Sequence, residues 1–307
     1  SGAKDTAAKL ILGPGAFIDL PILLKEIGDC GISEDRLVID PGATVIEEQD
    51  KKNEEAIKSS ISSTGQGTGR ALARRITDRI PGAVRLAKDV LELGPYIGST
   101  MRELEEAYRC GSSILLEGTQ GSGLSLFHGD YPYVTSRDTN VSGCLAEAGI
   151  PPARVRRVIL VIRPTPIRVG DPPNNAKGTS GELKHEVTFR EIAEQAGLNP
   201  DTVSELEVGS RSGKRRRVGW FEWDKFRNAC MLNSPTDIVL TFADYIDAEN
   251  ENARRFEQLS ERTIKFIEEL ERVGQAPVSL INTRFPREEE DRLDLRTVID
   301  RRSWKTT

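Results

Sequence analysis

Histidine is nearly missing from this chain. Only His128 and His185 occur among 307 residues, too few for a histidine-rich metal centre. Cysteine is sparse as well: Cys30, Cys110, Cys144 and Cys230 are scattered, with no CxxC pair. That excludes a zinc-ribbon spacing and a dense disulfide framework, and fits reduced, mostly buried thiols in a cytosolic protein. No apolar run approaches the roughly 18 residues that cross a membrane, and the first residues lack a basic-then-apolar leader pattern. A cytoplasmic protein with no membrane partner is the expectation. Nor is there an excess of positive charge, since 43 Lys plus Arg against 48 Asp plus Glu give a formal charge of −5. General binding of nucleic acid, which rests on a basic surface, is disfavoured, although a local basic cluster can still hold a small anion. Repeats and low-complexity tracts are absent.

What is present suits a globular α/β protein: 37% hydrophobic and 30% charged residues, over a length enough for one large domain or two ordinary ones. β-type runs lie at Leu10–Leu12, Leu37–Ile39, Ser113–Leu116, Val158–Ile162, Asp237–Thr241 and Val278–Ile281. Amphipathic stretches fall between them, near 20–27, 47–62, 83–93, 100–109, 188–196, 222–232 and 253–273. This alternation predicts a mostly parallel sheet covered by helices. The strongest loop signal is Gly170 to Gly178, rich in proline and asparagine. Because similar apolar segments flank it, we expect a single domain over 1–307 with a mobile loop at about 170–187.

Three polar, glycine-rich segments stand out. The first follows the apolar residues Ile114 to Leu116: Glu117-Gly118-Thr119-Gln120-Gly121, then Tyr131-Pro132-Tyr133-Val134-Thr135-Ser136-Arg137-Asp138. Glycines at a strand end let backbone approach a ligand, and the carboxyl ends of parallel strands are where α/β proteins bind ligands. A strand-to-loop turn that binds nothing is the plainer alternative. The second is Ser62 to Arg70, with three glycines, preceding a helix that carries Arg70, Arg74, Arg75 and Arg79. Its N–H groups and hydroxyls suit an anion cradle, or equally a connector before a solvated helix. It is no Walker A sequence, because Gly-Lys-Ser/Thr is missing. The third is Ser210 to Trp220, with consecutive cations Lys214 to Arg217. Four adjacent cations repel unless anions compensate them, and guanidinium suits carboxylate or phosphate. The segment reads as a positioned binding loop or as a solvated turn. Arg163 to Gly170 reads as a strand terminus, and His128 is assigned no role.

Taken in order, Ser63-Thr64-Gly65-Gln66-Gly67, Glu117 to Gly121, Tyr131 to Ser136, Ile167-Arg168-Val169-Gly170 and Gly213 to Trp220 resemble the adenylosuccinate synthetase family. Gln66, Thr135-Ser136-Arg137-Asp138 and Gly178-Thr179-Ser180-Gly181 are most similar to its phage branch, the 2-aminoadenylosuccinate synthetases. Archaeal members share Arg215 to Trp220. The resemblance implies a C–N ligase of α/β fold, with a central sheet and related to P-loop proteins. The γ-phosphoryl group of a nucleoside triphosphate activates O6 of a purine monophosphate, and L-aspartate then displaces phosphate. It also implies Mg2+ as cofactor and a homodimer.

By the same resemblance Ser63, Thr64, Gln66, Gln120 and Thr135 hold the monophosphate, and Gln120 stabilises charge on O6. An arginine from a second copy, Arg75 or Arg79, grips its phosphate. Ser212, Gly213, Lys214 and Arg216 bind aspartate. Arg216, Asp244 and Thr283 meet the triphosphate. Two positions depart from the family's usual pattern. Lys214 stands where arginine contacts the ribose 2′-hydroxyl, which loosens the demand for a ribonucleotide. Phe242 replaces lysine in Thr241-Phe242-Ala243-Asp244, which leans toward ATP over GTP, while Asp244 keeps a carboxylate suited to guanine. The family's opening strand, phosphate loop and Gly-His-Thr segment are not in this sequence, so an upstream segment of roughly fifty residues is expected from usual element lengths. It would carry the main acid–base groups and the metal ligand. Three readings result: a ligase for dGMP and L-aspartate, the housekeeping enzyme acting on IMP with GTP, or a nucleotide-binding homologue without turnover.

Overall fold

A computed structural model describes residues 2–4, 7–171, 180–209, 213–284 and 295–304. The chain folds as two compact units, Ser1–Arg154 and Val155–Thr307.

The first unit contains β1 (Leu10–Leu12), β2 (Phe17–Ile18), α1 (Leu20–Asp29), β3 (Leu37–Ile39) and β4 (Thr44–Val45). It continues with α2 (Glu48–Asn53), α3 (Glu55–Ile61), α4 (Thr68–Thr77), α5 (Thr100–Arg109) and α6 (Val141–Ala148). β1 pairs in parallel with β3, Leu10 opposite Leu37, and β2 pairs in parallel with β4. Ile18, Ile27, Ile39, Val45, Val90 and Leu93 form the core. Removing each such side chain from water contributes about 1.5–3 kcal/mol.

Two stretches differ from the sequence expectation. Residues 83–93 form no α-helix but two 3₁₀ turns, Ala87–Asp89 and Leu91–Tyr96. Ala87, Val90 and Leu93 are buried while Leu91 is 90% exposed, a three-residue repeat that suits 3₁₀ geometry. Residues 113–116 form no strand, and Leu115 is 84% exposed. An apolar run becomes a strand only where a neighbour takes its backbone hydrogen bonds, and among the described residues none does.

The second unit holds β5 (Ile159–Ile162), β6 (Ile167–Val169), β7 (Glu186–Val187), α7 (Phe189–Ala196), α8 (Pro200–Leu206) and β8 (Arg216–Gly219). These are followed by α9 (Trp223–Asn233), β9 (Asp237–Leu240), α10 (Glu261–Gly274), β10 (Val278–Asn282) and β11 (Val298–Asp300). Its main sheet runs β11-β10-β9-β5, parallel except for β11. Ile238, Leu240, Val278 and Ile281 bury against Ile267 and Leu270 of α10. A separate antiparallel sheet, β6-β8-β7, was not expected from the sequence. β8 carries the adjacent arginines Arg216 and Arg217, within a segment that reads as loop. α7 begins with a reciprocal cap, Thr188 and Glu191 accepting from each other's backbone N–H.

The architecture is therefore α/β, with mostly parallel pairing and helical cover. Among the described residues no helix is long and apolar enough to cross a membrane. Of the loop expected at about 170–187, residues 172–179 lie outside the described residues. Ser180 to Val187 is tied to β8 through Arg217, which binds Glu186 in a bidentate pair at 2.8 and 2.6 Å, Ser180 Oγ at 2.8 Å and the Gly181 carbonyl at 2.8 Å.

Candidate active site

In the first unit, segments far apart in sequence converge. Gln120 stands in the left-handed region, φ 69°, and its Nε2 donates to Thr135 Oγ1 at 3.0 Å. A non-glycine residue held there is strained, and such strain clusters at functional sites. Local bonds fix the pair: the Thr135 N–H donates to the Leu124 carbonyl, the Leu126 N–H to the Arg137 carbonyl, and Thr139 Oγ1 to the Gly121 carbonyl. Asp138 accepts from Ser125 Oγ and the Phe127 N–H. The first turn of α4 reaches the same place, since a Cβ on Gly69 would lie 3.2 Å from Ser136 Cβ.

The glycine-rich loop before α4 does form an anion cradle, and the chain fills it. The buried Glu54 carboxylate accepts from the N–H groups of Gly67, Gly69 and Arg70 at 2.7, 2.9 and 3.3 Å. This places negative charge at a helix N-terminus, where backbone N–H groups lack partners. Ser63 Oγ accepts from the Gly65 N–H, and Gln66 Nε2 donates to the Thr64 carbonyl, while the Thr64 side chain is exposed. Of the two arginines considered for a contact across a dimer, Arg75 is engaged in its own unit, donating to the Gly42 carbonyl at 2.5 Å and Thr44 Oγ1 at 2.6 Å. Arg79 is exposed.

In the second unit two of the four cations, Arg216 and Arg217, have acidic partners from the chain. Strand alternation sends neighbouring side chains to opposite faces. Arg217 turns to Glu186, and Arg216 turns to Glu207, Nη1 to Oε2 at 2.8 Å. Arg163, at the end of β5, donates to Glu207 Oε1 at 2.6 Å and stacks on Phe242, 4.3 Å from its ring centre. Burial raises the Glu207 pKa, but the charge of Arg163 and the bonds from both arginines outweigh it and hold the carboxyl below its ordinary value. Burial, with the neighbouring Glu207 charge, pushes the Tyr245 hydroxyl well above its ordinary pKa.

The other sequence-derived positions are distributed as follows. Ser212 lies outside the described residues. Gly213 has φ 62° and is exposed, and Lys214 is half-buried. Asp244 is buried in a 3₁₀ turn after β9, following Phe242 with its φ of 57°. Thr283 is fully buried and donates its hydroxyl to the Thr297 carbonyl at 3.1 Å. In the Ile167–Gly170 segment, Gly170 has a packing reason: a Cβ there would lie 2.0 Å from the Arg215 carbonyl oxygen. Sequence reasoning missed Glu54, Glu207 and the role of Arg163. The only trace of the two acids is their place shortly before the second and third glycine-rich segments.

A family model described as adenylosuccinate synthetase matches residues 82–251. The chain is 37% identical over 289 residues to the adenylosuccinate synthetase of Methanocaldococcus jannaschii, covering 92% of this chain and 77% of that protein. It is 36% identical to that of Pyrococcus horikoshii, covering 92% and 79%. The chain belongs to the adenylosuccinate synthetase family. It is an enzyme, a C–N ligase of that family. Among solved structures it is similar to the cyanophage S-2L succinoaminodeoxyadenylate synthetase bound to dGMP and dATP as an energy donor. The TM-score is 0.72 at 26% identity, over 90% of this chain and 74% of that one. The fold is shared with the fully ligated adenylosuccinate synthetase of Plasmodium falciparum, TM-score 0.74 at 17% identity, over 95% and 84%.

Proposed function

We propose that this ligase joins dGMP to L-aspartate, driven by a nucleoside triphosphate, and makes N6-succino-2-amino-2′-deoxyadenylate for the synthesis of 2-aminoadenine DNA. The reading rests most on one observation, the bond from Gln120 to Thr135 beside the first turn of α4. The purine O6 receives the γ-phosphoryl group, the aspartate amine attacks C6, and phosphate leaves. Gln120 offers an amide donor to the charge that grows on O6, and Thr135 and Thr64 contact the nucleotide phosphate. Gly213, Lys214 and Arg216 take the aspartate, and Arg216 and Asp244 face the triphosphate. Lysine at 214 lacks the planar fork of arginine, which fits a sugar without a 2′-hydroxyl. The dGMP and dATP named for the cyanophage protein support dGMP as the acceptor here and an adenine nucleotide, ATP in this proposal, as the donor.

A homodimer belongs to this proposal, with Arg79 as the arginine that crosses to the other copy's phosphate. Mg2+ would neutralise the triphosphate. Among the described residues no group of three or more His, Cys, Asp or Glu side chains could hold a metal. In this proposal the part of the residues named above is binding and orientation. A second reading, IMP with GTP, is favoured by the archaeal relatives, which bear the adenylosuccinate synthetase name at higher identity.

The test uses dGMP labelled with ¹⁸O at C6, together with ATP, Mg2+ and L-aspartate. The label is expected to emerge in inorganic phosphate, with aspartate joined at C6. Label retained in the nucleotide, or no aspartate adduct, would contradict the reading.

A further inference from the structure

Arg216, from the four-cation run, and Arg163 meet on one buried acid. Glu207 follows α8, and its side chain is fully shielded from solvent, whereas those of Arg163 and Arg216 are 13% and 27% exposed. The two arginines take separate oxygens, Arg163 on Oε1 and Arg216 on Oε2. Backbone bonds fasten the same place. The Arg216 N–H donates to the Glu207 carbonyl at 3.1 Å, Val208 bridges Arg215, and the Gly209 N–H donates to the Lys214 carbonyl at 2.9 Å. Glu207–Gly209 and Gly213–Arg216 thus form two paired arms, and the Glu207–Arg216 ion pair closes their base. Arg163 is held from behind, stacked on Phe242 and Tyr245 at 4.3 and 5.5 Å.

A carboxylate this buried carries a large desolvation cost and persists only where charged partners saturate it. Packing alone does not explain an acid here, because an apolar side chain would fill the same volume. What the acid supplies is orientation. It fixes one nitrogen of each guanidinium, Nη2 of Arg163 and Nη1 of Arg216, while the Arg216 side chain stays 27% exposed. An arginine with its fork already oriented loses less rotamer freedom when it takes a second anion.

We propose that Glu207 is a positioning residue of this ligase, which sets the guanidinium of Arg216 for the carboxylate of L-aspartate. Arg163 is the second cation that keeps Glu207 ionised and in place. The inference rests on the assignment of Arg216 to aspartate made above.

The experiment compares Glu207→Gln, which keeps the shape and removes the charge, and Glu207→Asp, which keeps the charge, with the unaltered protein. KM is measured separately for L-aspartate and for the purine monophosphate. A hydrogen bond to a charged group is worth about ten- to a hundredfold in affinity. Glu207→Gln is therefore expected to raise the aspartate KM by about tenfold or more, with the monophosphate KM within about twofold. Glu207→Asp should recover part of that loss. If Glu207→Gln does not fold, the comparison of Glu207→Asp with the unaltered protein decides. A shorter carboxylate that leaves the aspartate KM unmoved, or moves both KM values alike, overturns the role. An unaltered protein whose turnover does not saturate with aspartate would overturn the functional reading itself. One that saturates while the Glu207 variants leave the aspartate KM unchanged would overturn only the role of Glu207.

Discussion

Backbone conformations that a side chain resists persist where surrounding structure enforces them, at about 1–3 kcal/mol each. Gln120 and Phe242 both adopt positive φ, 69° and 57°. Phe242 follows the end of the parallel strand β9, and Gln120 lies in the first glycine-rich segment, after the apolar residues Ile114 to Leu116. For Gln120 the strain aims an amide at Thr135. We expect Gln120→Ala to lower kcat by about 100-fold, the usual effect of removing a donor to a developing oxyanion. The KM for the monophosphate should change only a few-fold. Equal losses in kcat and in monophosphate binding would remove Gln120 from the reacting oxygen. Lys214→Arg is expected to shift preference toward ribonucleotides, read as the ratio of kcat/KM for GMP and dGMP. A constant ratio would mean that residue 214 does not sense the sugar. Gln120, Thr135 and the loop from Ser63 to Gly67 were visible in the sequence because glycine beside hydroxyl and amide groups is a local signal. Glu54 and Glu207 were not, since an acid's partner across 13 or 44 residues leaves no mark in its spacing.

At the level of elements, periodicity located β1, β3, β5, β9 and β10, because short apolar runs between turn residues match a buried parallel strand. It also located α1, α5, α7 and α9. The stretch 47–62 proved to be two helices broken at Glu54, and that break lets its carboxylate reach the start of α4. A hydrophobic pattern cannot report such a break. Glu54→Ala should destabilise the protein by about 1–3 kcal/mol, since three N–H groups at the α4 terminus lose their shared acceptor. A thermal melt checks the size, and faster amide exchange at Gly67, Gly69 and Arg70 checks the place. Unchanged exchange there would contradict the assigned contacts. β8 was illegible for a different reason: its adjacent arginines look like loop until Glu207 and Glu186 pair with Arg216 and Arg217 across the fold.

For the whole molecule, composition argued against a histidine-rich metal centre and a general nucleic-acid binder, and the order of glycine-rich segments pointed to the ligase family that the comparisons bear out. The alternation of strands and helices correctly implied an α/β architecture. It did not reveal that 113–116 lacks a pairing partner among the described residues, because pairing depends on which strands become neighbours. Neither could pattern choose the purine, as one exocyclic amino group distinguishes guanine from hypoxanthine. Product formation from equal dGMP and IMP, with L-aspartate, Mg2+ and both ATP and GTP, measured by mass spectrometry, decides this most directly. The succino-adduct of dGMP should dominate. Dominance of the IMP adduct would make this a housekeeping adenylosuccinate synthetase and contradict the dGMP assignment.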